Sequence, residues 1–499
     1  MKRLFLALAL VSLVFCVACG SSPTLGIGTG HYSNASLTGS YVYQISGIDL
    51  NGNLYSEAGI FAANGKGVIQ SGVDDAAEFS QTAFGNSTTG SYSIASDGTG
   101  TITLNNTAFG TINWSVTLVS ASKLYLIEAD ALNATGVAEV QTAQALPAVT
   151  STFVFKQHGV SATQDFSTVG QFSLATTGSL TGSDDVNRGG TVNGGGGTGS
   201  PLTLTGASSL AAPDSTGRGT GTIVDSTGTT DFFYYIVDNN NLRFLLNDTG
   251  VVGIGRAEAQ AGAPFTTDPL SGNSYAFGSR GDDNNAGTGA VNSVGSFTAS
   301  GGSITGGVLD SAVDAVTSYS NVAINSGGSY TAVAANGRTV VATTTGIPST
   351  VQQVFWMVNP ARAFFLTTSD SSDVTKIEDG TADQQMGNFT NATLNSQSAF
   401  SMDGYDSNSG FDVDRVGWIQ WNGSGSLVWN EAVNDSGSIS GATLSGTYSV
   451  GSNGRTTATV NNLSYQNNDI VFYLVSSGNA YILENDPGVE INGMMSQQQ

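Results

Sequence analysis

Apolar residues along this chain recur at every second position in runs of five to ten, and the runs are broken by Asn-Gly, Asp-Gly and Gly-Gly pairs. That period predicts strands, and the breaks predict tight hairpins. From Leu37 onward "GSYVYQISGI", "YSEAGIFAANGKGVIQSG", "GSYSIAS", "GTGTITL", "TINWSVTLVS", "KLYLIEAD" and "TGVAEVQ" follow one another with short polar connections. They amount to about eight strands with no helical period.

The pattern then repeats. A turn glycine is followed 27 residues later by an aromatic from Gly98 to Tyr125, Gly217 to Phe244, Gly337 to Phe364 and Gly454 to Tyr481. The equal spacing predicts four copies without internal insertion, with the four aromatics at equivalent core positions. The units are expected at 37–145, 150–262, 268–380 and 386–494, separated at "QALPAVT", "AGAPFTTDPL" and "DGTADQQMG". The tail "GMMSQQQ" is expected to fray. A meander of eight short strands predicts an all-β fold of four antiparallel, up-and-down barrel-like units, with a two-sheet sandwich as the alternative. In "FFYYIV" from Phe232, "VFWMV" from Val354 and "VFYLV" from Val471 neither face is polar. Such strands need a cover on the outside as well. Either Phe232, Tyr234 and Ile236 or Phe233, Tyr235 and Val237 are expected to pack on a neighbouring unit, making a semi-rigid rod.

Composition narrows the function. Lys plus Arg is 15 against 38 Asp plus Glu, a formal charge of −23. That field repels nucleic acid and anionic lipid head groups. Residues 1–18 read as an export signal, with Lys2 and Arg3 before the apolar run Leu4 to Val17, a run too short to span a bilayer. The junction "CVACGSS" resembles the lipobox of bacterial lipoproteins. The resemblance implies that Cys19 is lipidated and becomes the mature N-terminus, that 19–36 is a tether, and that, with Gly20 next, the protein goes to the outer membrane, facing periplasm or cell surface. Cys16 would leave with the signal, so the mature body has no free thiol for a disulfide or a nucleophile.

Candidate chemistry is sparse. His31 falls in the tether, leaving His158 alone in the folded body, where it is expected in a surface turn. Acids recur at Asp74, Asp75, Asp184, Asp185, Asp310 and Glu431, and are expected to cap turns or strand ends. Asp406, Asn408, Asp412 and Asp414 alternate as in calcium loops, but Gly417 stands where the closing Glu belongs. Arg218, Arg338 and Arg455 each follow a marker glycine, whereas the first unit has Thr99. An acid of the same unit is the expected partner. No catalytic, cofactor-binding or metal-binding residue is assigned, and no cofactor is expected. The sequence therefore points to a non-catalytic envelope lipoprotein acting in binding, adhesion or spacing, with a protein or carbohydrate surface partner. The alternatives are a lipocalin-like array for small apolar ligands and a carbohydrate-active enzyme working with carboxylates.

Overall fold

Alternation is what the chain uses to close each unit on itself. The computed structural model describes residues 31–499 except 50–51, 79–81, 162–163, 194–198, 284–288, 314–316, 346–349, 371–375, 408–409, 464–468, 485 and 487. The export signal and Cys19 lie outside the described residues. In the first unit β1 (Thr38–Ile48), β2 (Leu54–Asn64), β3 (Val68–Glu78), β4 (Thr82–Ile94), β5 (Thr99–Asn106), β6 (Gly110–Ser120), β7 (Lys123–Glu128) and β8 (Asn133–Val140) pair in chain order. β8 returns to β1, with Tyr41 opposite Val140 and Ile48 opposite Asn133. The third and fourth units close in the same way over Asn273–Gln384 and Gln397–Gln497. The up-and-down barrel, not the sandwich, is therefore the fold, and no edge strand remains in these three units.

The second unit departs from the others. Where they have one long fourth strand, it has three fragments, Thr191–Asn193, Leu202–Thr203 and Ser209–Leu210. Its sheet does not close as a ladder. The seam is held by the bridge Ser179 to Ser209, by the short pairing of Ser183 and Asp184 with Thr203 and Leu202, and by Leu180 N, Leu204 N and Leu210 N donating to Ser208 O, Gly182 O and Gly178 O at 2.8–3.0 Å. The glycine run at 194–197 lies outside the described residues.

Inward-facing side chains fill each unit. In the first, Tyr43 meets Trp114 edge-on at 4.9 Å and Tyr41 stacks on Phe61 at 5.4 Å. In the fourth, Trp421 and Trp429 have essentially no exposure. Packing of this kind is a core, as in small eight-stranded barrels whose interior only just holds its own side chains.

Outward-facing apolar residues form four further clusters, one at each joint between units. Phe233, Tyr235 and Val237 pack on Val42, Ala58 and Ile60 of the first unit. Trp356, Phe364 and Leu366 pack on Val154 and Val169. Tyr473, Tyr481 and Leu483 pack on Ala276 and Val294. Finally, Val119, Tyr125 and Ile127 of the first unit pack on Ala399 and Val416 of the fourth. The expected rod is corrected by this last contact. Each unit presents β1–β3 or their equivalents to the β6–β8 equivalents of the next, a head-to-tail arrangement that closes when the fourth unit meets the first. The molecule is a ring of four units.

Two more expectations are corrected here. The tail does not fray, because the last strand runs Val489–Gln497 and pairs with Gln397–Asp406. Nor are the four marker aromatics equivalent. Tyr125, Phe364 and Tyr481 face outward into joints, whereas Phe244 lies in its unit's interior. Register explains it. Thr99 stands opposite Thr117, Arg338 opposite Trp356 and Arg455 opposite Tyr473, but Arg218 stands opposite Tyr235, one residue closer along the chain. The second unit is short by one residue, and its true counterpart of Tyr125 is Arg243.

Candidate functional site: the joints of the ring

The marker glycine is the first component of every joint. Gly98, Gly217, Gly337 and Gly454 all have φ between +83° and +91°, a region that costs L side chains energy. A Cβ on them would come within 2.8, 2.7, 2.8 and 2.5 Å of the side-chain nitrogens of Gln498, Gln141, Gln260 and Gln385. Each glutamine follows the last strand of the preceding unit, and each amide bridges two carbonyls of the next. Gln141 donates to Thr216 O and Ile236 O, Gln260 to Asn336 O and Met357 O, and Gln385 to Asn453 O and Leu474 O, all at 2.7–3.0 Å. The residue after each glutamine adds a backbone bond, Thr142 N to Val237 O, Ala261 N to Val358 O and Met386 N to Val475 O, each 2.8 Å. At the fourth joint the C-terminus takes the place of a linker. Gln498 donates to Leu118 O at 2.6 Å and Asp97 O at 3.3 Å, and Gln499 N donates to Val119 O at 2.9 Å. From the other end of the chain, within the stretch read as tether, the Tyr32 hydroxyl lies 2.8 Å from Gln499 O and 3.1 Å from Val119 O.

The repeated arginines belong to the same joints. Arg218 binds Asp75 through Nε and Nη2, Arg338 binds Asp185 with both distances 2.8 Å, and Arg455 binds Asp310 with both at 2.7 Å. Such forked pairs are the strong form of the interaction. The partner is an acid of the preceding unit, not of the same one as expected. An aromatic donor completes each site: Tyr235 on Asp75, Trp356 on Asp185, Tyr473 on Asp310. The three carboxylates have no solvent exposure. At the fourth joint all three members are replaced together, Thr99 for the arginine, Thr117 for the aromatic and, by register opposite Val416, Ala432 for the acid.

A second position varies in the same way. Glu139 binds Arg243, Glu258 binds Arg362, and Asp383 accepts from the Tyr481 hydroxyl at 2.6 Å. At the fourth joint this becomes Tyr125 with Ser496 at 2.8 Å, two hydroxyls in place of charge. Glu258 is held at about 2 because Arg362, Arg256 and Arg243 outweigh the opposing effect of its burial. Asp379 is likewise lowered: burial opposes, but Lys156 and His158 prevail. His158, expected in a surface turn, lies on the strand Ser151–Ser161, with Nδ1 3.2 Å from Asp379 of the third unit.

The recurring acids sit mid-strand and do not cap turns. They fall on two faces. Asp75, Asp185 and Asp310 point to joints, while Asp74, Asp184 and Glu431 stand opposite Gly59, Gly170 and Gly417 and point inward. In the first unit Asp74 accepts from Tyr43 and Asn106 and shares the interior with Glu57 and Glu128. Burial pushes Glu57 up to about 7 and raises Asp74 and Glu128 as well. With no solvent exposure, these carboxyls cannot reach a sugar ring. In the fourth unit Glu431 is paired with Arg415 at 2.9 Å. The calcium-like stretch does not converge either. Asp406 is buried on one strand, while Asp412 and Asp414 lie on the next, on the opposite side of the wall from the inward Val413. Asn408 lies outside the described residues.

Beside the third joint a groove of about 630 Å³ runs between units, lined by Asn273, Ser274, Thr298, Gln385, Phe389 and Asn453. Amides and hydroxyls dominate it, with one ring.

No family model and no curated protein matches the chain. Among solved structures it is similar to a transferrin-binding protein B from Haemophilus parasuis Hp5, a vaccine-antigen double mutant, at 9% identity over 76% of this chain and 83% of that one, with a TM-score of 0.20. It is also similar to the isotype 1 transferrin-binding protein B from serogroup B Neisseria meningitidis, at 10% identity, 75% and 84% coverage, and a TM-score of 0.18. At these scores the likeness carries no argument about this chain's role.

Proposed function

We propose that this chain is a non-catalytic lipoprotein of the cell envelope, anchored through Cys19 and serving as a rigid binding or spacer module. One observation carries the reading: the interiors are filled by the units' own side chains, and the outward apolar faces are used up in joints. What remains for function is the rim of the ring. Most of the chain's described lysines and arginines are tied into ion pairs, many of them at the joints or inside a unit, so the surface offers acids, amides and hydroxyls. The groove at the third joint suits an uncharged, polyhydroxylated chain, with amides and hydroxyls for its hydroxyls. A filled interior also disfavours the lipocalin-like reading.

Two measurements test it. Cys19→Ser should release the protein from the membrane fraction or stall the precursor, and unchanged membrane association would remove the anchor. A glycan array probed with the soluble mature chain should show neutral glycans bound, and Asn273→Ala with Asn453→Ala should abolish that signal. An apolar molecule released from the native protein on denaturation would instead favour the ligand carrier.

A further inference from the structure

The inward acid at one register position is neutralised differently in each unit. In the fourth, Arg415 stands on the neighbouring strand and pairs with Glu431. In the first, the corresponding residue is Glu57, and Asp74 is satisfied by Tyr43 and Asn106. In the third, Ser293 stands at that place and the acid itself is replaced by Leu309. In the second, the corresponding residue is Thr168, and Asp184 has no solvent exposure and no donor or counter-ion on either carboxylate oxygen; burial, with a second acid, Asp225, beside it, pushes its carboxyl up to about 8. A buried charge in that condition costs several kcal/mol unless something neutralises it.

The same place holds a cavity. It is lined by Asp184, Asp225, Gln157, Thr168, Arg188 and Thr230, and its ≈ 10 Å³ is about what one water or ion occupies. The Gln157 amide nitrogen, on a side chain 1% exposed, also lacks a partner, and turning that amide offers its oxygen instead. Asp225 is half-buried in the cavity wall, and its Oδ1 is already fixed by Thr227 and Gly228 of the turn. Arg188 lies over the Phe166 ring at 4.4 Å. The available donors are two carboxylates, an amide and two hydroxyls, all oxygen, which is the preference of hard cations and not of zinc or copper.

We propose that the second unit binds one hard divalent cation, with calcium as the probe, between Asp184 and Asp225 at the register position that the Arg415 side chain serves in the fourth unit. Asp225, partly exposed in the turn between the strands Arg218–Val224 and Thr229–Asp238, marks the side from which the ion would enter.

Isothermal titration of the chelator-treated mature protein with calcium tests this. One equivalent is expected to bind, with a rise in Tm. Asp184→Asn should weaken binding at least tenfold, whereas Asp74→Asn, in the first unit, should leave it unchanged. Thr168→Arg copies the fourth unit and should abolish binding while raising the Tm of the calcium-free protein, so a folding failure of Asp184→Asn does not end the test. No calcium effect on the wild type would assign the cavity to a single water or to a rotated Arg188 and overturn the proposal. Binding that survives both Asp184→Asn and Thr168→Arg would place the ion elsewhere and overturn it equally.

Discussion

At the scale of single residues, the fold is built on acids that it keeps protonated and acids that it keeps charged. Glu57 and Glu484 are fully buried and raised to about 7, chiefly by desolvation. An unfolded glutamate titrates near 4.3, so between about pH 4 and 7 the unfolded chain sheds these protons while the folded one retains them. Their contribution is full below pH 4 and is lost as pH rises through 7. Glu258 and Asp379 act with the opposite sign. Their contribution is present above the unfolded range near 4 and is lost as pH falls through their lowered values. The Tm should therefore peak near pH 4 to 5, with a descending limb to pH 8 that reflects roughly a few kcal/mol. Glu57→Gln should flatten that limb in thermal melts, and a wild-type Tm that is level from pH 5 to 8 would contradict the assignment. The marker glycine belongs to this scale too. Gly217→Ala meets both a positive φ and the Gln141 amide, so about 1 to 3 kcal/mol is the expected cost in denaturant unfolding.

Between elements, the question is what makes one strand face another unit. Much of this was legible: alternation gave the strands, and the doubly apolar run Phe232 to Val237 required a second cover, which Phe233, Tyr235 and Val237 meet by packing on the first unit. The rest depends on register that spacing alone conceals. A 27-residue interval made Phe244 look like Tyr125, when a one-residue shortening had moved Arg243 into that place. The acids looked like one recurring feature because Asp310 and Glu431 lie near each other in the repeat, although they face opposite sides of the wall. The sequence nevertheless held a sign of the ring, since Thr99 lacks an arginine only because its neighbour is the fourth unit, with Ala432 in place of the acid. This makes the joints exchangeable. Arg218→Ala leaves Asp75 buried without its counter-ion, with only the Tyr235 hydroxyl and the Gly85 amide donating to it, and should cost about 3 to 5 kcal/mol. The triple variant Asp75→Ala, Arg218→Thr, Tyr235→Thr copies the fourth joint and should recover most of that loss. If the triple variant is no more stable than Arg218→Ala in denaturant unfolding, the fourth joint is not an equivalent solution.

For the whole molecule, closure changes what the four units have in common. A row of four has three joints and leaves Val119, Tyr125 and Ile127 at one end and Ala399 and Val416 at the other facing water. A ring has a fourth joint and exposes neither patch, the arrangement expected of a chain that avoids contiguous apolar surface. This last joint lacks the forked arginine–aspartate pairs of the other three and is held by its apolar contact and by side-chain amides, Asn434 donating to Leu132 O and Asn133 to Asp412 O. It is also where Tyr32 meets Gln499, so a tether from Cys19 would enter the ring at its seam. A compact chain of this length has a radius of gyration of about 23 Å, and an open row of barrels is distinctly larger. Small-angle scattering of the soluble mature chain should give the compact value. Val416→Asp places a charge among Val119, Tyr125 and Ile127 and should open this joint alone, raising the radius while circular dichroism still reports folded barrels. Deleting Gln498 and Gln499 removes five hydrogen bonds, the one from Tyr32 included, but not the apolar contact, so it should leave the radius unchanged and lower the Tm by a few degrees. A wild-type profile with the dimensions of a row would exclude the ring. If Val416→Asp keeps the compact radius while folded, the fourth joint is not what holds the molecule closed.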